Sequence, residues 1–192
     1  MTATEAFQPA GRAPAPPPLD LVQDFVNTEI PEWARDDIAT PEELAEWFRS
    51  RGILGDADVV DSDTFVRARA LRSVLRRLAL ANTLGERPDE ALRVEFEGAV
   101  GNVRLVPRLD VDGRVVGVPT EGADRALAVL MTHVVEAQVS GAWSRLKACR
   151  KESCQWLFYD SSRNVSSTWC SMTICGNRTK TAAYRRRRRT SS

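Results

Sequence analysis

The sequence predicts an α+β protein: a mainly helical N-terminal domain carrying one β-hairpin, followed by a small module built around four cysteines. Three observations predict it. Apolar residues recur at helical spacing over about 62–84 and again over 123–143. Between these stretches the pattern changes to alternation around Asp112-Gly113, a strong hairpin signal. Every cysteine lies beyond residue 148, at Cys149, Cys154, Cys170 and Cys175.

Taken in order, residues 1–18 are rich in Ala and Pro and are expected to form a disordered or polyproline-like leader. Order is expected to begin at Leu19. A short amphipathic helix follows, with Leu21, Val22 and Phe25 inward. Thr40-Pro41-Glu42-Glu43 supplies a capping hydroxyl, a proline at the first helical position and a glutamate at the third. The helix it starts buries Leu44, Trp47 and Phe48 and ends near Gly52. A longer helix spans 62–84, with Phe65, Ala68, Leu71, Leu75 and Leu78 on one face and Arg67, Arg69, Arg72, Arg76 and Arg77 on the other. A further helix covers about 88–100, strands are placed at 103–109 and 114–118, and a last helix covers 123–143. The first domain therefore spans 19–143 and the cysteine module 145–189, an α+β arrangement.

Charge divides the chain in the same place. Residues 1–144 hold 15 basic and 24 acidic side chains, whereas 145–192 hold 12 basic and 2 acidic ones. That asymmetry, with five consecutive arginines from Arg185 to Arg189, points to a polyanionic partner. No apolar run reaches the length a membrane helix needs, and the N-terminus has no apolar signal-peptide core. The expectation is a cytoplasmic protein with no membrane partner.

Reduced cysteines in close pairs more often bind metal than form disulfides. Here the spacing is C-x4-C, fifteen residues, C-x4-C, which suits a four-thiolate zinc site. Four thiolates fill the tetrahedral coordination of zinc and leave no place for water or substrate, so the single ion would be structural rather than catalytic. The module also lacks core: its anchors are Trp156, Leu157, Phe158, Trp169, Met172 and Tyr184. A stretch this short needs a staple, and metal binding would be coupled to folding. A strand at 145–149, a knuckle, a returning strand at 155–160 and a helix from about Cys175 would give a treble-clef-like zinc finger.

The residues also resemble a known family. Cys175-Gly176-Asn177-Arg178, Trp169-Cys170-Ser171-Met172, Phe158-Tyr159-Asp160 and Ser162-Arg163-Asn164 are similar to the CGNR zinc finger. Leu21-Val22-Gln23-Asp24-Phe25-Val26-Asn27-Thr28 and the Thr40–Trp47 segment look like the ABATE domain that accompanies this finger. The resemblance implies a bacterial, stress-induced transcription regulator with zinc as its metal. Relatives commonly carry arginines between Ser-Arg-Asn and Trp-Cys-Ser-Met, where this chain has Val165-Ser166-Ser167-Thr168.

The candidate phosphate-binding residues are Arg163, Arg178, Lys180 and Arg185, Arg186, Arg187, Arg188 and Arg189. Asn164, Asn177 and Arg178 could equally bond the knuckle backbone, and Trp156, Phe158 and Trp169 read as core rather than stacking platforms. DNA is the expected partner; RNA or a protein held by a merely structural finger is the alternative. In the first domain, Asp24, Asn27 and Thr28 either bind a small effector or cap a neighbouring helix. The arginine face of the long helix either lines an anion pocket or is a plain exposed face that balances the domain's acids. His133 is the lone histidine, and no nucleophile elbow or phosphate-binding glycine loop is present. No catalytic residues are assigned, and the chain is not expected to be an enzyme.

Overall fold

The computed structural model describes residues 8–101, 103–119, 124–179 and 181. Helix α1 is Leu19–Val26, and a small hairpin follows, with β1 at Glu29–Ile30 and β2 at Arg35–Asp36 joined by a 3-10 turn at Pro31–Trp33. Helix α2 is Pro41–Arg49, α3 is Ser62–Leu84 and α4 is Glu90–Val100. Strands β3 (Leu105–Leu109) and β4 (Val115–Pro119) form the second hairpin, ahead of α5 at Arg125–Val139. The cysteine module contributes β5 (Leu146–Ala148), β6 (Leu157–Tyr159) and a π-helical turn at Met172–Gly176.

Local chemistry sets most of these limits. The Thr40 hydroxyl accepts from the Glu43 amide at 3.2 Å, and the Glu43 carboxylate accepts from the Thr40 amide at 3.1 Å, a reciprocal cap that starts α2. Asp61 accepts from the Thr64 amide and starts α3, which ends at Gly85 with φ 70°, a left-handed geometry that suits glycine. Asp89 caps α4 through the Leu92 amide at 2.8 Å, so this helix begins two residues later than the Pro88 break suggested. In the β3–β4 turn the Asp110 carboxylate accepts from the amides of Asp112 and Arg114. Helix α5 is shorter than expected because Gly141, at φ 78°, turns the chain into a 3-10 segment at Ala142–Arg145.

One apolar core serves both halves of the chain. Phe25 packs 5.6 Å from Trp47 and 6.2 Å from Phe48, centroid to centroid. Around this cluster lie Val22, Leu44, Leu71, Leu75, Leu127 and Leu130, and Leu146, Ala148 and Leu157 of the cysteine module belong to the same core. Strand β5 lies against α3, where Asn82 donates to the carbonyls of Trp143 and Leu146 and Thr83 donates to that of Ala148.

Two expectations need correction. Residues 8–18, read as part of a disordered leader, are ordered against the rest of the protein. Ala15 is buried, and its amide donates to the Gln23 side chain at 2.7 Å. Arg12 donates to the carbonyls of Cys170, Tyr159 and Trp169 and lies 4.5 Å over the Phe158 ring. These contacts supply the enthalpy that a proline-rich sequence alone does not reveal. The arginine face of α3 does pair with the domain's acids, and Arg69 and Arg77 are exposed, but two of its arginines are buried. Arg72 is buried and meets both oxygens of Asp36 at 2.7 and 2.8 Å. Arg76 is also buried, donating to the Glu29 carboxylate at 2.9 Å and to the Val26 carbonyl at 2.6 Å. Buried guanidinium groups need such partners, and the partners are what fold the β1–β2 hairpin onto α3. Arg67 is held by Asp63 and Asp124, and Arg77 by Glu95.

Candidate metal centre and nucleic-acid interface

Strands β5 and β6 pair antiparallel, with Leu146 opposite Tyr159 and Ala148 opposite Leu157. This pairing delivers Cys149 to the end of β5, where its amide donates to the Trp156 carbonyl at 2.9 Å. The chain then folds into a tight knuckle in which the amides of Cys154 and Gln155 both donate to the Lys151 carbonyl. Gln155 takes a left-handed φ of 46° to close it. The second pair is set by Ser171, whose hydroxyl caps the Ile174 amide and whose carbonyl accepts from Cys175 and Gly176. A Cβ on Gly176 would displace the flexible Met172 sulfur and lie 3.3 Å from Trp169, so the close packing here favours glycine.

All four cysteines are buried, and their sulfurs lie within 4.8 Å of one another. Cys154 and Cys170 are 3.7 Å apart and Cys170 and Cys175 3.6 Å. A tetrahedron with metal–sulfur bonds of about 2.3 Å has edges of about 3.8 Å, so the spacing fits one zinc ion.

Protonation chemistry agrees. Without a cation, hydrogen bonds from Cys154 and Cys170 hold the Cys149 thiol down at about 2. The hydrogen bond with Cys149 pushes Cys154 up to about 12. Bonds to Cys149 and Cys154 raise Cys170, and burial followed by the Cys149 charge raises Cys175. Four thiolates held this close repel one another and require a dication among them. The four cysteines are thus the ligands of one structural zinc.

The N-terminal half completes this centre. Ile30 of β1 packs in the cysteine cluster beside Trp156 and Phe158. Asn27 forms a double latch to β6: its amide donates to the Leu157 carbonyl at 2.9 Å, and its oxygen accepts from the Leu157 amide at 2.8 Å. Within the finger, Asp160 is fully buried and accepts from Lys147, Ser162 and the Ser167 amide. Burial would raise its carboxyl, but the bonds from Ser162, Lys147 and Ser167 outweigh that and hold it well below the usual range. Arg12, Lys147 and Asp160 escaped the sequence reading as finger-building residues. Only Asp160 stood in a quoted motif, and a lysine in an apolar strand was the one other available signal.

The remaining sequence-predicted sites fare differently. Arg163, Asn164 and Asn177 are exposed, as is Arg178, whose side chain is 68% accessible. Arg150 is exposed on the finger as well. Lys180 and Arg185, Arg186, Arg187, Arg188 and Arg189 lie outside the described residues. Trp156 and Phe158 are buried and Trp169 half-buried against the cysteine cluster. Asp24, Asn27 and Thr28 each face different partners among the described residues. Asn27 holds β6, the Thr28 hydroxyl bonds Phe25 and Arg72, and Asp24 faces the charge of Arg51, its carboxyl raised chiefly by burial. His133 is a half-buried helix residue 3.5 Å from Glu136. Among the described residues, no helix is long and apolar enough to cross a membrane.

Comparison with protein families gives two matches. Residues 19–141 match the ABATE family, described as "Putative stress-induced transcription regulator", and residues 145–188 match the CGNR zinc finger. No curated protein matches the chain. With the larger match covering more than half of the sequence and the four thiols gathered where the smaller one needs them, the chain belongs to the ABATE family and carries a CGNR zinc finger.

Proposed function

We propose that this protein is a DNA-binding transcription regulator of the stress response, acting in the bacterial cytoplasm without catalysis. Its finger would hold the phosphate backbone, and the zinc would fix the finger's shape. The observation that carries the reading is the rigid finger itself: a buried four-thiolate centre presents Arg150, Arg163 and Arg178 outward, in a region of 12 basic and 2 acidic side chains. Lys180 and Arg185–Arg189 would add to the same field. Backbone contacts position a protein on DNA but do not read sequence, so target choice would need further groups.

The N-terminal half is the regulatory part in this reading. An effector would not use Asp24, Asn27 and Thr28 together, because Asn27 and Thr28 are committed to internal hydrogen bonds. A cleft of about 260 Å³ lined by Leu78, Pro88, Leu92, Arg93, Phe96, Glu97 and Gln138 offers an alternative of mixed polarity.

The test is a salt titration of duplex DNA binding by mobility shift, with structured RNA in parallel. Neutralising about nine phosphates, one per candidate cation, gives a log–log slope near −8 and roughly a 10⁵-fold loss of affinity between about 50 and 200 mM salt. Removing residues 185–192 should leave about four contacts, a slope near −3.6 and a loss of about 150-fold. A salt-independent complex, or tighter binding to RNA than to DNA, would overturn the DNA reading.

A further inference from the structure

The β1–β2 hairpin places one carboxylate of the N-terminal half against the finger's cationic surface. Glu32, in the 3-10 turn between the strands, pairs with Lys151 of the cysteine knuckle, and the same oxygen lies 4.0 Å from the Arg178 guanidinium. Lys151 and Glu32 are only 20% and 26% accessible, whereas Arg178 is 68% accessible. The knuckle thus already holds one anion on its floor, with a second cation open above it.

Glu32 is not a loose side chain that happens to touch a lysine. The turn bearing it is fixed at both feet: Glu29 is held by Arg76 and Asp36 by Arg72, both buried on α3. Ile30 is buried in the cysteine cluster immediately before the turn. The carboxylate is therefore delivered to Lys151 and Arg178 by rigid structure. A carboxylate and a phosphate ask for the same thing, charge-assisted N–H donors, so an intramolecular carboxylate marks where an external phosphate oxygen can bind.

We propose that Lys151 and Arg178 form a phosphate site for a nucleic-acid backbone, and that Glu32 occupies it in the free protein as an internal competitor. The inference rests on the nucleic-acid reading above and deepens it. Backbone phosphate must displace Glu32, so binding is weaker than the finger's cations alone would allow. It is also coupled to the hairpin and, through Arg72 and Arg76, to α3. Any event that shifts the hairpin away from the knuckle raises affinity.

The experiment compares full-length protein with Glu32→Gln, which keeps the size of the side chain and removes its charge. Glu90→Gln, on the exposed face of α4, controls for the change in net charge. Binding to a short duplex DNA and to a structured RNA is measured at low salt by fluorescence anisotropy. Freeing one partly exposed ion pair should tighten binding about fivefold for Glu32→Gln and leave Glu90→Gln within about twofold of the parent. Adding Lys151→Ala to Glu32→Gln should abolish the gain. Binding that ignores Glu32→Gln, or responds equally to Glu90→Gln, overturns the proposal while the nucleic-acid reading stands. A gain confined to RNA supports the phosphate site and overturns the DNA reading. Failure of every variant to bind either nucleic acid overturns both.

Discussion

Replacing Asn27 by alanine tests whether finger and helical domain are one folding unit. The Asn27 side chain makes two buried hydrogen bonds to the Leu157 backbone, across 130 residues of sequence. Truncation leaves the Leu157 amide buried with no acceptor, which costs about 1–3 kcal/mol. The Leu157 carbonyl loses its donor at 2.9 Å but keeps Gln23 at 3.2 Å, so that side of the latch adds about 1 kcal/mol. The expected total is about 2–4 kcal/mol, or about 4–16 °C in Tm for a chain of this size. Differential scanning calorimetry of the zinc-loaded protein, with metal content measured in parallel, reads the effect. Asn164→Ala, at an exposed finger position, should stay within about 0.5 kcal/mol of the parent. A drop below about 2 °C for Asn27→Ala, or a new low-temperature transition for the finger alone, would refute the claim that this latch joins the halves.

Two further outcomes follow from the finger's chemistry. Because zinc binds thiolates and free cysteine thiols are mostly protonated near neutral pH, loading zinc on the four gathered cysteines should release protons; a dye-based proton count near zero would contradict the assignment. Asp160→Asn leaves the Lys147 ammonium buried without its charged partner and should cost about 3–5 kcal/mol near neutral pH. The Asp160 carboxyl is held low in the folded state, so its contribution is complete above the unfolded carboxylate range and is lost as pH falls below about 4. The gap between parent and variant in urea unfolding should therefore narrow in acid; a gap that widens there would contradict the sign.

Sequence signals that act over a few residues translated directly into structure. The Thr40–Glu43 box, the 62–84 periodicity and the Asp112-Gly113 turn each appear where expected because cap, helix face and turn are decided locally. The zinc ligands were legible for a related reason, since paired cysteines at short spacing have few other uses. Long-range polar partners were not legible. Arg72 and Arg76 read as a solvated face because arginine is rarely buried, and nothing near them in sequence announces Asp36 and Glu29. Asn27 read as a cap or ligand residue because the free backbone edge of Leu157 exists only once β5 and β6 have paired. Arg12 lies in a stretch whose composition suggests disorder, and its three carbonyl acceptors are gathered only by the folded finger.

This distribution of contacts changes what the metal does. A finger tethered by a linker would gain its own fold from zinc and transmit nothing. Here Ile30 closes the cysteine cluster, Leu146, Ala148 and Leu157 sit in the main core, and Asn27 and Arg12 grip the finger's backbone. The free energy of four zinc–thiolate bonds is therefore shared with α1, the β1–β2 hairpin and α3. The hairpin that lends Ile30 to the metal centre also delivers Glu32 to Lys151 and is held by Arg72 and Arg76. A change in α3 packing must then move either the metal centre or the cationic surface. Of the two, the Glu32–Lys151 pair at the surface costs less to break than the buried four-cysteine centre.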